Sequence, residues 1–240
     1  MTRIAHIVTV VAALGAVSVM SGCTPPERSA SGPLQHESQS VELDKTELAR
    51  VEIRMGAGEL NVEGGSSKLL EADFTYDNPA LKPVVRYTPS SFRGQLLIEQ
   101  PTGINLGPNR KYEWNLRLNN MVPMDFVTRL GAGNVQLNLG SLTLRTVDLR
   151  MGVGNLDMDL RGHPQRDYDV QIQGGVGNAT VRLPSNVGIV ADASGGVGDI
   201  EAHGLEKRGG RWVSPAYEDA KVTIHLDIRG GVGHISLLAD

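Results

Sequence analysis

Beyond residue 41, apolar and polar residues alternate with a period of two in short runs, and a Gly-x-Gly core interrupts the runs. The core recurs six times, as GAGEL from Gly56, GAGNV from Gly131, GVGNL from Gly152, GVGNA from Gly175, GVGDI from Gly196 and GVGHI from Gly231. Successive starts are 75, 21, 23, 21 and 35 residues apart. A period near 21–23 predicts a solenoid with one coil per repeat. The last gap carries an insertion, EKRGGRWVSPAYEDAK from Glu206 to Lys221, and the first has room for about three coils without the glycine signature.

Aligning the repeats on their first glycine shows what each coil buries. Three positions before it stand Ile53, Thr128, Leu149, Ile172, Ala193 and Ile228. Five before it stand Val51, Phe126, Val147, Val170, Ala191 and Leu226. The residues between these columns are mostly polar, the pattern of a strand with one buried face. After the motif the apolar columns fall four positions on (Leu60, Val135, Leu156, Ala179, Ile200, Ile235) and six positions on (Val62, Leu137, Met158, Val181, Ala202, Leu237). The inward side is thus at odd offsets before the motif and at even offsets after it. A straight strand cannot change parity without turning its apolar side to water, whereas a bend or bulge at glycine can.

The structural corners are therefore expected at Gly56 and Gly58, Gly131 and Gly133, Gly152 and Gly154, Gly175 and Gly177, Gly196 and Gly198, and Gly231 and Gly233. The small apolar residue between each pair is expected to point inward. The residue after it (Glu59, Asn134, Asn155, Asn178, Asp199 or His234) is expected to stack on its counterparts and to hydrogen-bond neighbouring backbone. No stretch after residue 22 has apolar spacing of helical period. The chain ends just past the last apolar column, so an exposed strand edge is expected there.

The N-terminus reads as an address. Ile7–Met20 is an apolar run of 14 residues behind Arg3, short of the roughly 20 that a bilayer-spanning helix needs, so residues 1–22 predict a signal peptide. Met20-Ser21-Gly22-Cys23 resembles the lipobox of bacterial lipoproteins, and Cys23 is the only cysteine of the chain. The resemblance implies diacylation of the Cys23 thiol, cleavage before it and acylation of the new N-terminus, which together give a lasting membrane anchor. Thr24 in place of Asp implies the outer membrane in a diderm host, and otherwise the outer face of the cell membrane. Residues 23–40 are rich in Pro, Ser, Glu and Gln and predict a flexible tether, leaving residues 41–240 as the folded body.

Composition narrows the function. Glycine accounts for 29 of 240 residues and the formal net charge is −4, which argues against a nucleic-acid partner. One cysteine excludes an intramolecular disulfide and a Cys-based zinc cage. The GGVGDI-type phrases resemble calcium β-roll repeats, but those recur every nine residues and only Asp199 is acidic at the key position. No Gly-x-Gly-x-x-Gly opens a helix, so no dinucleotide site is expected. His203, His225 and His234 lack metal-ligand spacing. No cofactor and no metal are expected.

The phrases EWNLRLNNMVPMDFVTRLGAG (Glu113–Gly133), LRTVDLRMGVGNLDMDL and VEIRMGAGELNVEGGSSKLLEADFTYD (Val51–Asp77) resemble the toast-rack family of bacterial envelope domains. They are also similar to the C-terminal domain of LiaF-type stress regulators and to adhesin-like β-solenoids. The resemblance spans roughly Val41–Asp240. It implies an all-β fold, a right-handed single-stranded parallel β-helix, on the cell envelope and in several membrane-stress contexts. It brings no catalytic residues. The membrane helices of LiaF-type proteins are missing here, and a lipid anchor stands in their place.

Arg54, Arg129, Arg150 and Arg229 recur two positions before the glycine, with Glu52, Asp148 and Asp227 two before three of them. Stacked, they form either a solubilising strip of weak ion pairs or a strip that binds an anionic glycan or a protein partner. Trp114 is expected to pack inward. Trp212, in the insertion, either folds over a coil edge or serves as an exposed contact. The expected function is a non-enzymatic, lipid-anchored envelope protein that presents a solenoid surface and is tied to the envelope stress response. An adhesin or glycan-binding module is the alternative. A polysaccharide-active β-helix enzyme would need acids or bases gathered at one corner, and the outward acids show no such excess.

Overall fold

A computed structural model describes residues 32–103 and 111–240. Cys23, the signal segment and the first half of the expected tether lie outside the described residues. The strands are β1 (Gln35–Val41), β2 (Ala49–Ser66), β3 (Leu70–Tyr76), β4 (Val84–Thr88), β5 (Gly94–Glu99), β6 (Tyr112–Asn119), β7 (Met124–Asn138) and β8 (Leu144–Asp159). They continue as β9 (Tyr168–Val176), β10 (Ala179–Leu183), β11 (Gly188–Val197), β12 (Ile200–His203), β13 (Glu206–Arg208), β14 (Arg211–Val213), β15 (Thr223–Val232) and β16 (Ile235–Ala239). A 3-10 turn at Pro79–Leu81 is capped by Asn78, whose side chain accepts from the Ala80 amide.

Each glycine-marked repeat contributes one arm before the motif and one after it. The arms before it stack as β5, β2, β7, β8, β9, β15 and β11, all parallel. The arms after it stack as β6, β2, β7, β8, β10, β16 and β12, again parallel. Both sets of inward residues join one core, with Ile53, Phe126, Leu149, Leu60, Leu137 and Leu237 among its members. The parity change across the glycines lets both arms face that core. The all-β parallel solenoid is thus the observed fold.

The order of the coils departs from the order of the sequence at both ends. The residues between Gly56 and Gly131 do not supply three coils stacked between those motifs. β7 pairs with β2 directly, and the one intervening coil, β5 with β6, lies on the opposite side of β2. At the other end, β15 and β16 sit between β9–β10 and β11–β12. The chain terminus is therefore interior, and the edge expected there belongs to β12 instead.

Side-chain size accounts for the second exchange. The last repeat offers Leu226, Ile228, Ile235 and Leu237 to the core, all buried, whereas the repeat before it offers Ala191, Ala193, Ile200 and Ala202. Burying a large aliphatic side chain contributes about 1.5–3 kcal/mol, and alanine far less. The alanine-rich coil therefore forfeits least at the end of the stack. The loop-closure cost of sending the chain back through residues 214–222 grows only slowly with length.

Antiparallel strands cover the stack. β4 pairs with β5, β3 with β6, and β1 with β3. Residues 35–40, assigned to the tether by composition, are thus a strand, and the folded body begins before Val41. Composition misses β1 because it is held by ladder bonds and polar contacts rather than by burial. Tyr76 Oη donates to Glu37 at 2.9 Å, and Lys82 Nζ lies 2.8 Å from the same carboxylate. The insertion is likewise structured: β13 and β14 form a hairpin, and β14 covers β11 at Val190 and Ala191.

Candidate interaction surface

The glycine motifs run in register along one ridge of six successive coils. The second glycine of each pair has a positive φ, from +130° at Gly198 to +145° at Gly58. A Cβ on Gly154 would overlap the carbonyl oxygen of Gly133, and one on Gly133 that of Gly58, because successive backbones are stacked there in contact. Only glycine meets both conditions. The first glycines are tight as well: a Cβ on Gly152 or Gly175 would overlap the glycine carbonyl of the neighbouring coil.

The residue between the glycines does not point inward. Val153, Val176, Val232 and Val197 are 53, 50, 48 and 67 % exposed. On the outside of a bend the chain has further to travel around the core, so the whole motif and the residue after it stay out of the interior. Register places Ala57, Ala132, Val153, Val176, Val232 and Val197 side by side on six successive coils. With strands about 4.8 Å apart, this apolar row runs roughly 24 Å.

Rows of two other chemistries flank it. On one side Arg54, Arg129 and Arg150 are adjacent, followed by Gln173 and Arg229. Arg54 lies 2.8 Å from Glu52, Arg129 3.4 Å from the same carboxylate, Arg150 3.3 Å from Asp148 and Arg229 3.0 Å from Asp227. The hydrogen bond that Arg54 donates to Glu52 raises the Arg54 pKa above its ordinary value. The expected strip of ion pairs is therefore present. Beside these arginines, Gly56, Gly131, Gly152 and Gly175 line an open cleft of about 790 Å³ together with Met55, Leu130 and Met151. Gln100 closes its end, and its Oε1 accepts from the amides of Gly56 at 2.7 Å and Ala57 at 3.3 Å. Sequence reasoning passed over Gln100, since nothing local distinguishes it.

On the other side, Asn155 Nδ2 donates to Asn134 Oδ1 at 3.3 Å. Asn155 Oδ1 in turn accepts from the Asn178 amide at 3.3 Å, and Asn178 Oδ1 from the His234 amide at 3.1 Å. This is the expected side-chain stack after the motif. It borders a polar groove of about 590 Å³ with Glu59, Asn61, Gln136 and Asp157.

The remaining candidates fall elsewhere. His203, His225 and His234 are exposed, and among the described residues no group of three or more His, Cys, Asp or Glu side chains is placed to hold a metal ion. Trp114 is fully buried, edge-on to Phe74 and Tyr112 with centroids 5.5 and 5.7 Å away. Trp212 is half-buried in β14, opposite Ala191, with Lys207 Nζ 5.2 Å from its ring centroid, so it folds over the edge of the end coil.

Comparison with known proteins agrees with this architecture. Residues 30–182 match the N-terminal domain of toast_rack, DUF2154. A solved structure of a candidate cell adhesion protein from Clostridium sporogenes is 32% identical. The match covers 87% of this chain and 100% of that one, with a TM-score of 0.84. A candidate adhesin from Bacteroides fragilis is 15% identical over 86% of this chain and 97% of that one, with a TM-score of 0.39. No curated protein matches. The extent of the domain match, from before β1 into β10, shows that the chain belongs to the toast-rack family.

Proposed function

We propose that the chain is a lipid-anchored, non-enzymatic envelope protein whose glycine ridge is an adhesin-like binding surface. The observation that carries this is the row of half-buried Ala57 and exposed Ala132, Val153, Val176, Val232 and Val197, held in register between a row of paired arginines and a row of asparagines. Contiguous apolar surface with a polar rim is the composition of a recognition patch. The similar Clostridium sporogenes protein, described as a candidate for cell adhesion, supports the same reading. The sequence Met20–Cys23 supports the anchor, with Cys23 as the acylated residue and the outer membrane as the destination in a diderm host. The family resemblance extends the reading to envelope stress, with an envelope protein as the partner.

The test is proximity labelling in the native host. The wild type is compared with Cys23→Ser, which removes the anchor, and with Val153→Asp plus Val176→Asp, which disrupts the ridge. A small set of envelope proteins lost in both variants is expected. A labelled set unchanged by the ridge variant would overturn the reading. A second reading, a glycan-binding module, is favoured by the amide-lined groove at Asn61, Asn134 and Asn155. Retention on a glycan array that Asn155→Ala abolishes would establish it.

A further inference from the structure

Three of the four ends of the parallel stack are closed by an antiparallel strand: β4 on β5, β3 on β6 and β14 on β11. The fourth, β12, pairs among the described residues with β16 alone. The Ile235 amide donates to the Asp199 carbonyl at 3.0 Å, so in this parallel ladder Asp199, Glu201 and His203 aim their backbone groups at β16. Ile200 and Ala202 aim theirs at the free edge. Their side chains lie on the core side but are only half-buried, whereas Glu201 and His203 are exposed. The last layer of the core is thus incompletely covered.

We propose that a second copy of this chain closes the gap, with β12 pairing antiparallel to its counterpart about a two-fold axis at Ala202. The buried face continues across the junction only if residues of like parity oppose one another, which places the axis on a residue. An axis at Glu201 sets two glutamates face to face, and one at Ile200 sets Asp199 against Glu201; both are like-charge pairs. An axis at His203 runs the pairing off the strand, which ends there. An axis at Ala202 sets Glu201 against His203 of the other copy, twice. It also makes Ala202 a hydrogen-bonded pair with itself and leaves Glu201–His203 as the closer, non-hydrogen-bonded kind of pair. This self-complementarity singles out a second copy as the occupant, and the interface is isologous. Its short length makes it weak in dilute solution, and anchoring in a membrane would raise the effective concentration.

The test uses the full chain with Cys23→Ser, which leaves no other thiol. Glu201→Cys and His203→Cys proteins are oxidised mildly, separately and mixed, and cross-linked dimer is measured. The mixture is expected to give at least about tenfold more dimer than either alone. Equal yields, or no dimer in the mixture, would overturn the proposal. Ala202→Pro gives an independent readout, because it removes only the amide aimed at the free edge. Sedimentation equilibrium should show the dimer dissociation constant rising at least about tenfold with circular dichroism unchanged. An unchanged constant in a folded Ala202→Pro protein would also overturn it.

Discussion

The two ends of the stack are finished with different materials. At the β5–β6 end the core is aromatic: Trp114, Phe74, Tyr112 and Tyr76 are all buried there. Three antiparallel strands cover it. Tyr112 Oη donates to the Leu81 carbonyl at 2.8 Å, and Tyr87 Oη to Asp44 at 2.9 Å, tying the covering segments down. At the β11–β12 end the core dwindles to Ala191, Ala193, Ile200 and Ala202, and β14 covers only two residues of β11. A solenoid end exposes its last core layer, so it must either be roofed or have little to expose. This protein does each once. The sequence of the last two repeats is arranged accordingly, with the aliphatic coil placed inside the alanine coil that precedes it in the chain.

The comparison breaks most visibly at the roofed end. Trp114→Ala should cost about 3–5 kcal/mol in urea unfolding, since the ring is fully buried and touches two others. Trp114→Phe should cost much less, because the indole Nε1 has no hydrogen-bond partner among the described residues. A Trp114→Ala loss below about 1 kcal/mol would show that the aromatic layer is not what holds this end. Next in size, Leu226→Ala, in the inserted coil, should cost about 3 kcal/mol, the value for an interior coil rather than a terminal one. A cost near that of an end residue would show that the last repeat is not inserted.

Much of this was legible from residues alone. The alternating columns and the parity change named the arms and the corners, because burial and glycine's tolerance of positive φ both act locally. Which coil lies beside which was not legible. GGVGDI and GGVGHI are nearly the same phrase, and only the difference between Ala191 and Ala193 on one hand and Leu226 and Ile228 on the other separates inside from outside. The valines were misplaced because parity counting assumes that one residue spans each step, and the outside of a bend breaks that assumption. β1 was missed because polar pairing leaves no hydrophobic signature.

Alkali should attack the roofed end first. Burial, with the hydrogen bond to Asp44 second, pushes the Tyr87 pKa up to about 12 from an ordinary value near 10. Burial also raises Tyr112 and, away from this end, Tyr168 of β9, and burial with the Glu37 hydrogen bond raises Tyr76, so three of the four raised phenols belong to the roofed end. A group whose pKa is raised by folding contributes stability that is fully present below its unfolded value and is lost as pH climbs through the folded one. Unfolding free energy should therefore be flat up to about pH 10 and fall between roughly pH 10 and 12. Tyr87→Phe should make that fall shallower. Proteolysis during the fall should cut within β3–β4 before it cuts within β15–β16. A Tyr87→Phe curve superimposable on the wild type would show that this phenol does not couple to folding.

The smallest effect is the most discriminating. Ile200→Ala removes an inward side chain from the unroofed end, where it is only half-buried. In dilute protein the loss should be about 1 kcal/mol, well under that of Leu226→Ala, although both delete a large aliphatic group from a core column. If two copies pair along β12, Ile200 becomes covered, and the same substitution should cost more as protein concentration rises. Adding Ala202→Pro should remove that dependence. Urea melts of the single and double variants at two concentrations measure both quantities. A dilute cost equal to that of Leu226→Ala would mean that something already covers the β12 end within a single copy, and the contrast between the two ends would fail.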